Sequence, residues 1–140
     1  MSGVSVAGVS AEPIDVDALA GAVGAATAGA LVTFAGVVRN HDHARAVDAL
    51  EYHAHPTADW VVSEVAAEIV ARHPEVRVAV QHRIGTLVVG DVALGAAVSS
   101  AHRREAFAAC TELVDLVKER LPVWKRQLFA DGTDEWVGST

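Results

Sequence analysis

The sequence predicts an α+β domain, and three observations carry that prediction. Segments such as "VRVAVQHRIG" (76–85) alternate apolar and polar residues with the period of a strand. Two longer stretches, 56–73 and 101–121, repeat their apolar residues with the period of a helix. The two kinds of segment are interspersed, with no repeat, linker or shift in composition between them. The 140 residues therefore read as a single domain, 1–140, long enough to bury a core.

Taken in order, "VSVAGVS" (4–10) suits a short strand. "DVDALAGAVGAA" (15–26) suits a short helix with Asp15 and Asp17 in its first turn, weakened by Gly21 and Gly24. "GALVTFAGVVR" (29–39) is β-branched and apolar on both faces, so it predicts a buried strand. A polar loop, "NHDHAR", leads to the alternating strand "AVDALEYHAH" (46–55). Pro56 opens an amphipathic helix in which Val61, Val65 and Ile69 share one face, and Pro74 ends it. After the strand at 76–85, "VVGD" (88–91) makes a turn into the strand "VALGAAVSS" (92–100). In the long helix that follows, Phe107, Cys110, Val114, Val117 and Leu121 predict one buried stripe, stopped by Pro122. "VWKRQLFA", "DGT" and "EWV" then form a closing hairpin.

Bulk properties narrow the function. A net charge of −7 argues against binding nucleic acid. No apolar run suits a membrane span, and the N-terminal segment does not read as a signal peptide. The single cysteine, Cys110, forms no internal disulfide and fits the cytoplasm. Residues 101–126 nevertheless carry six Lys or Arg against four Asp or Glu. An acidic protein with a basic pocket suits a small anion better than a polyanion.

Three constellations carry chemistry. Ser99 to Arg104 places His102, Arg103 and Arg104 in the first turn of the long helix, where cations are unfavourable unless an anion is bound. Side chains splayed into water, or paired with Glu105, would produce the same pattern. Arg39-Asn40-His41-Asp42-His43 follows a strand and can line a site or simply be hydrated. His41/His43 and His53/His55 are H-x-H pairs, the basis of a metal-binding alternative. Third, the chain's only two lysines, Lys118 and Lys125, lie seven residues apart in "VKERLPVWKRQ", while nine basic residues are arginine. A helix-to-strand reversal can bring both ammonium groups to one pocket, where each lowers the other's pKa and burial adds to it. Arginine could not supply a neutral amine in that way. Two exposed lysines near a helix C-terminus are the bland alternative. Cys110 falls on the apolar stripe, so its thiol reads as core and any sulfur handled here comes from outside.

"GALVTFAGVVRNH", "HRIGTLVVGD", "SSAHRREAF" and "VKERLPVWKRQ", in this order and spacing, resemble the catalytic (large) subunit family of molybdopterin synthase from about residue 28 to 137. The resemblance implies an α/β hammerhead-like fold with additional antiparallel strands. It implies a cytoplasmic sulfurtransferase of molybdenum cofactor biosynthesis, with no cofactor of its own. The substrate would be cyclic pyranopterin monophosphate (precursor Z), converted to the dithiolene of molybdopterin. The sulfur would arrive as a thiocarboxylate on the C-terminal glycine of a small ubiquitin-like partner subunit. The large subunits would form a homodimer at the centre of a heterotetramer. Carried over by motif, Lys118 and Lys125 are the expected catalytic residues. Arg39, His102 and Arg103 are expected to hold the phosphate, with Arg126 and Gln127 bordering the same pocket. Val37 stands where some members have lysine, and Gln127 where some have an acid. A catalytically silent binding module of the same fold is the remaining alternative.

Overall fold

The computed structural model describes residues 3–42 and 44–138. Its elements run β1 (Gly3–Ser10), α1 (Val16–Ala22), β2 (Ala30–Val37), β3 (His41–Asp42), β4 (Arg45–Ala54), α2 (Ala58–Arg72), β5 (Arg77–Arg83), β6 (Gly85–Val88), β7 (Val92–Ser100), α3 (Arg103–Arg120), β8 (Val123–Phe129) and β9 (Asp134–Gly138). This is the expected α+β architecture, with an additional antiparallel sheet beside the main layer.

The first sheet has the order β1-β5-β7-β2, with β1 parallel to β5 and the other pairs antiparallel. Strand parity decides what each face meets. Val78, Val80, Leu94, Ala96 and Val98 point into the main core, which α2 and α3 close with Val62, Val65, Ile69, Leu113 and Val117. The opposite face offers the small side chains of Ala79 and Ala97 to Ile14, Leu19 and Val23 around α1. Gly95 lies on that same face, and a Cβ built there would stand 2.7 Å from Ile14 Cγ2. Small residues on this face are what allow α1 to approach the sheet closely. The second sheet runs β3-β4-β8-β9, with β6 also paired to β4.

Four expectations change. The first helix ends at Ala22 rather than residue 26, because Gly21 and Gly24 weaken it, and Gly24 N–H turns back to Gly21 C=O at 3.3 Å. Strand β2 is an edge strand with only one face on the core, leaving Leu31 and Val37 about half exposed. In α3 the buried stripe begins through Ala106 and Ala109, and Phe107 lies outside it, 59% exposed. The segment 76–88 is two strands, because Gly85 at φ +98° breaks the run and sends β6 to pair with β4.

A charged network joins α2 to α3. Arg120 makes two hydrogen bonds to Glu68, Arg72 bridges Glu68 and Glu112, and His73 contacts Glu105 and Glu112 at 3.2 and 2.7 Å. Burial opposes charging His73, but hydrogen bonds to the Glu112 and Glu105 carboxylates outweigh it and raise its pKa above 6.5. A raised pKa adds stability that is full below the ordinary value and is lost as pH rises through the folded one. His73→Gln should therefore cost about 1 kcal/mol more at pH 6 than at pH 9, read by urea denaturation. An equal cost at both pH values would show that the imidazole acts only by packing.

Candidate functional site

The connection from β7 through α3 to β8 builds the site. β7 runs from Val92, next to Ala93 and Leu94, to Ser100, α3 returns along the sheet, and its last turn carries Lys118 back towards the strand's starting end. Pro122 then turns the chain into β8, which pairs with β4, Lys125 opposite Tyr52 and Gln127 opposite Leu50. The backbone after β2 closes the other side, where Val38 N–H reaches Asp91 C=O and Gly90 N–H reaches Val38 C=O, both at 2.9 Å. These segments enclose a cavity of about 290 Å³. Arg39, His41, Asp42, Lys118, Lys125 and Gln127 supply its polar wall, with Val38, Leu50 and Ala93 among its apolar lining.

The two lysines thus share one cavity, but their environments differ. Lys118 is exposed and Lys125 half-buried. Burial lowers the Lys125 pKa below its ordinary value, the charges of Lys118 and Arg39 lower it further, and Asp42 acts in the opposite direction. Gln127 is buried, and its Oε1 has no hydrogen-bond partner among the described residues, leaving an acceptor for a donor on a ligand. Val37 also lines the cavity.

Two neighbours were not singled out from sequence. His82 is buried, and its Nδ1 lies 2.7 Å from the Arg83 carbonyl. A carbonyl only accepts, so Nδ1 carries the proton and Nε2 keeps a lone pair. Burial, with a smaller contribution from the Lys118 charge, takes the His82 pKa down to about 4 against the raising effect of the Arg83 hydrogen bond, so the ring is neutral at pH 7. Tyr52 meets His82 edge to face at 4.8 Å, and burial raises its pKa. The signal for His82 was present, since it shares strand parity with the buried Val78 and Val80.

Other expected residues lie elsewhere. Arg126 falls between Lys125 and Gln127 on β8, so it points to the opposite face. There it is held by Asp134 at 2.6 Å and Glu51 at 3.5 Å and does not border the cavity. His102 is the N-cap of α3 and Arg103 its first residue. Arg103 and Lys118 are fifteen positions apart along the helix, a rise of about 22 Å. Within one chain, neither residue reaches the cavity of the lysines.

The metal alternative gains no support from geometry. Among the described residues no three His, Cys, Asp or Glu side chains converge as metal ligands would. His53 contacts Glu51 and Trp136, His55 accepts a hydrogen bond from Thr57 N–H, and His43 lies outside the described residues. Cys110 is buried, and burial raises its thiol pKa.

The family model described as MoaE protein matches residues 9–120. The chain is 42% identical over 111 residues to the molybdopterin synthase catalytic subunit of Nostoc sp., covering 78% of this chain and 67% of that one. It is 37% identical to catalytic subunit 1 of Mycobacterium tuberculosis, covering 91% and 86% respectively. Among solved structures, molybdopterin synthase from Staphylococcus aureus superposes with a TM-score of 0.88 at 32% identity, covering 94% of this chain and 96% of that one. The molybdopterin biosynthesis MoaE protein of Burkholderia ambifaria gives a TM-score of 0.80 at 30% identity, covering 99% and 90%. The chain belongs to the MoaE family, that of the catalytic subunits of molybdopterin synthase.

Proposed function

We propose that this chain, as a molybdopterin synthase catalytic subunit, transfers sulfur from the C-terminal thiocarboxylate of a small ubiquitin-like partner to cyclic pyranopterin monophosphate. The observation that carries the reading is the convergence of Lys118, Lys125 and Arg39 on one small cavity. Among the described residues that line it, three cations outnumber the single carboxylate of Asp42. Such a wall suits a phosphate ester, and the cavity's size is near the lower end for small-ligand sites.

In this mechanism the thiocarboxylate sulfur bonds to a side-chain carbon of the pterin as a carbon–oxygen bond at that carbon breaks, and the departing oxygen takes up a proton and leaves as water. Water then attacks the acyl carbon, the acyl–sulfur bond breaks, and the partner leaves as a carboxylate. Lys118, exposed at the cavity, stabilises the oxyanion formed at the acyl carbon. Lys125, with its lowered pKa, accepts and returns the proton. No cysteine is required, consistent with the buried Cys110.

A homodimer gives His102 and Arg103 their role. Their distance from Lys118 along α3 means that, if they hold phosphate, they hold it in the cavity of a second copy. The open edge of β2, flanked by the exposed Leu31 and Phe107, is the surface such a copy would cover. A small subunit at each end of this dimer completes a heterotetramer. No helix among the described residues is long and apolar enough to cross a membrane, and the reaction belongs in the cytoplasm.

A single-turnover assay tests the reading. Mixed with precursor Z and a thiocarboxylated small subunit, the protein should yield molybdopterin, read as its fluorescent oxidised derivative. The same partner ending in an ordinary carboxylate should yield none. Absence of product with the thiocarboxylated partner would favour the silent binding module.

A further inference from the structure

Asp42 is the only carboxylate among the described residues that line the cavity. It is presented by β3, which doubles back onto β4 so that Asp42 pairs with Arg45 and His41 with Ala46. Its Oδ1 stands 3.6 Å from Arg39 Nη2, and the acid is the more buried partner, with side-chain exposure of 20% against 69%. At that distance the two charges attract, but the contact is longer than a well-formed charged hydrogen bond.

The groups around Lys125 come from every side of the cavity. Lys118 approaches from α3, Arg39 from the segment after β2, and His41 and Asp42 from β3. Tyr52 lies on β4 and His82 on β5. Three of these groups and Lys125 itself set the charge: Lys118 and Arg39 are cations, and Asp42 alone opposes them.

We propose that Asp42 is an internal counter-anion that occupies the cationic cluster while the cavity is empty and yields it to the phosphate of the substrate. The proposal rests on the reading that a phosphate binds here. A carboxylate carries one negative charge and is attached to the cavity wall, so it offsets the cations without filling the space. The cyclic phosphate ester of the substrate brings one charge and more acceptor oxygens than a carboxylate, so it replaces the carboxylate at Arg39 and leaves Lys125 as well compensated. Asp42 thereby acts as a positioning residue. It holds Arg39 at the rim and favours the charged form of Lys125 before substrate arrives, at the cost of competing with the ligand.

The test uses the full-length chain, inorganic phosphate as the probe, and the fact that there are only two lysines. Carbon-13 labelling of lysine gives two side-chain signals, assigned with Lys118→Arg. In Asp42→Asn the Lys125 titration midpoint should fall below that of wild type, because the one group raising it has been neutralised. Inorganic phosphate should bind this variant about five-fold more tightly, since a fixed negative charge near the site is gone. Asp42→Glu, which keeps the charge, should restore both values towards wild type. An unmoved Lys125 midpoint, or weaker phosphate binding in Asp42→Asn, would overturn the proposal. If the lysine signals of wild type ignore phosphate while Lys125 still shifts in Asp42→Asn, the phosphate reading fails and the counter-anion role stands.

Discussion

Lys125→Arg should abolish single-turnover product almost as completely as Lys125→Ala, each losing about 10²–10⁴-fold in rate. Arginine preserves the positive charge and much of the reach, so a residue needed only to attract an anion would tolerate the change. It does not preserve the ability to lose a proton. Lys125 is half-buried on β8, and burial is the foremost reason that its pKa is lowered. Its neutral form therefore becomes available below the ordinary value of 10.5, and the wild-type rate should rise with pH through that lowered midpoint. Lys118 provides the contrast. It is exposed at the end of α3, and its proposed work is that of a fixed charge. Lys118→Ala should lose about 10²–10³-fold, whereas Lys118→Arg should retain more activity than Lys125→Arg. Wild-type rates from Lys125→Arg would show that this position supplies charge alone and would sink its assignment as the proton carrier.

Much of this arrangement is legible in the sequence because the relevant signals are local. The two helices, the central strands and the reversal at Pro122 follow from periodicity and from proline, and the reversal places Lys118 and Lys125 at one cavity. What periodicity gives for a strand it also limits. Lys125 and Gln127 share a face of β8, so Arg126 between them could have been assigned to the other side from spacing alone. The exposed Phe107 is a different kind of error. Alanines carry the core face at that end of α3, and counting large apolar residues assigns the stripe to the wrong neighbour. The exposed face of β2 depends on strand order, which is non-local: an apolar strand reads as central until its missing neighbour is seen. Asp42 was visible only as part of a polar loop. Its place opposite Arg39 and Lys125 depends on the two-residue pairing of β3 with β4, which no periodicity announces.

The separation of Arg103 from Lys118 makes the second large prediction. Neither Lys118→Ala nor Arg103→Ala should support appreciable turnover alone, yet co-expression of the two variants should restore it. If the cavity lysines of one chain work with Arg103 of the other, each mixed dimer contains one site carrying both defects and one site with none. Random pairing makes half of the dimers mixed, so about one quarter of all sites should be intact, with a matching fraction of wild-type activity. If both residues served the same chain's cavity, every site in every dimer would carry a defect, and mixing would restore nothing. The length of α3 argues for the first outcome, since the helix holds Arg103 and Lys118 about 22 Å apart, and a packed helix with a continuous buried stripe from Ala106 to Val117 cannot fold back to shorten that span. Arg103→Lys would refine the result. A planar guanidinium that grips phosphate through two parallel hydrogen bonds is poorly replaced by an ammonium, so a weakened apparent affinity for precursor Z with little change in maximal rate would place Arg103 in binding rather than in chemistry.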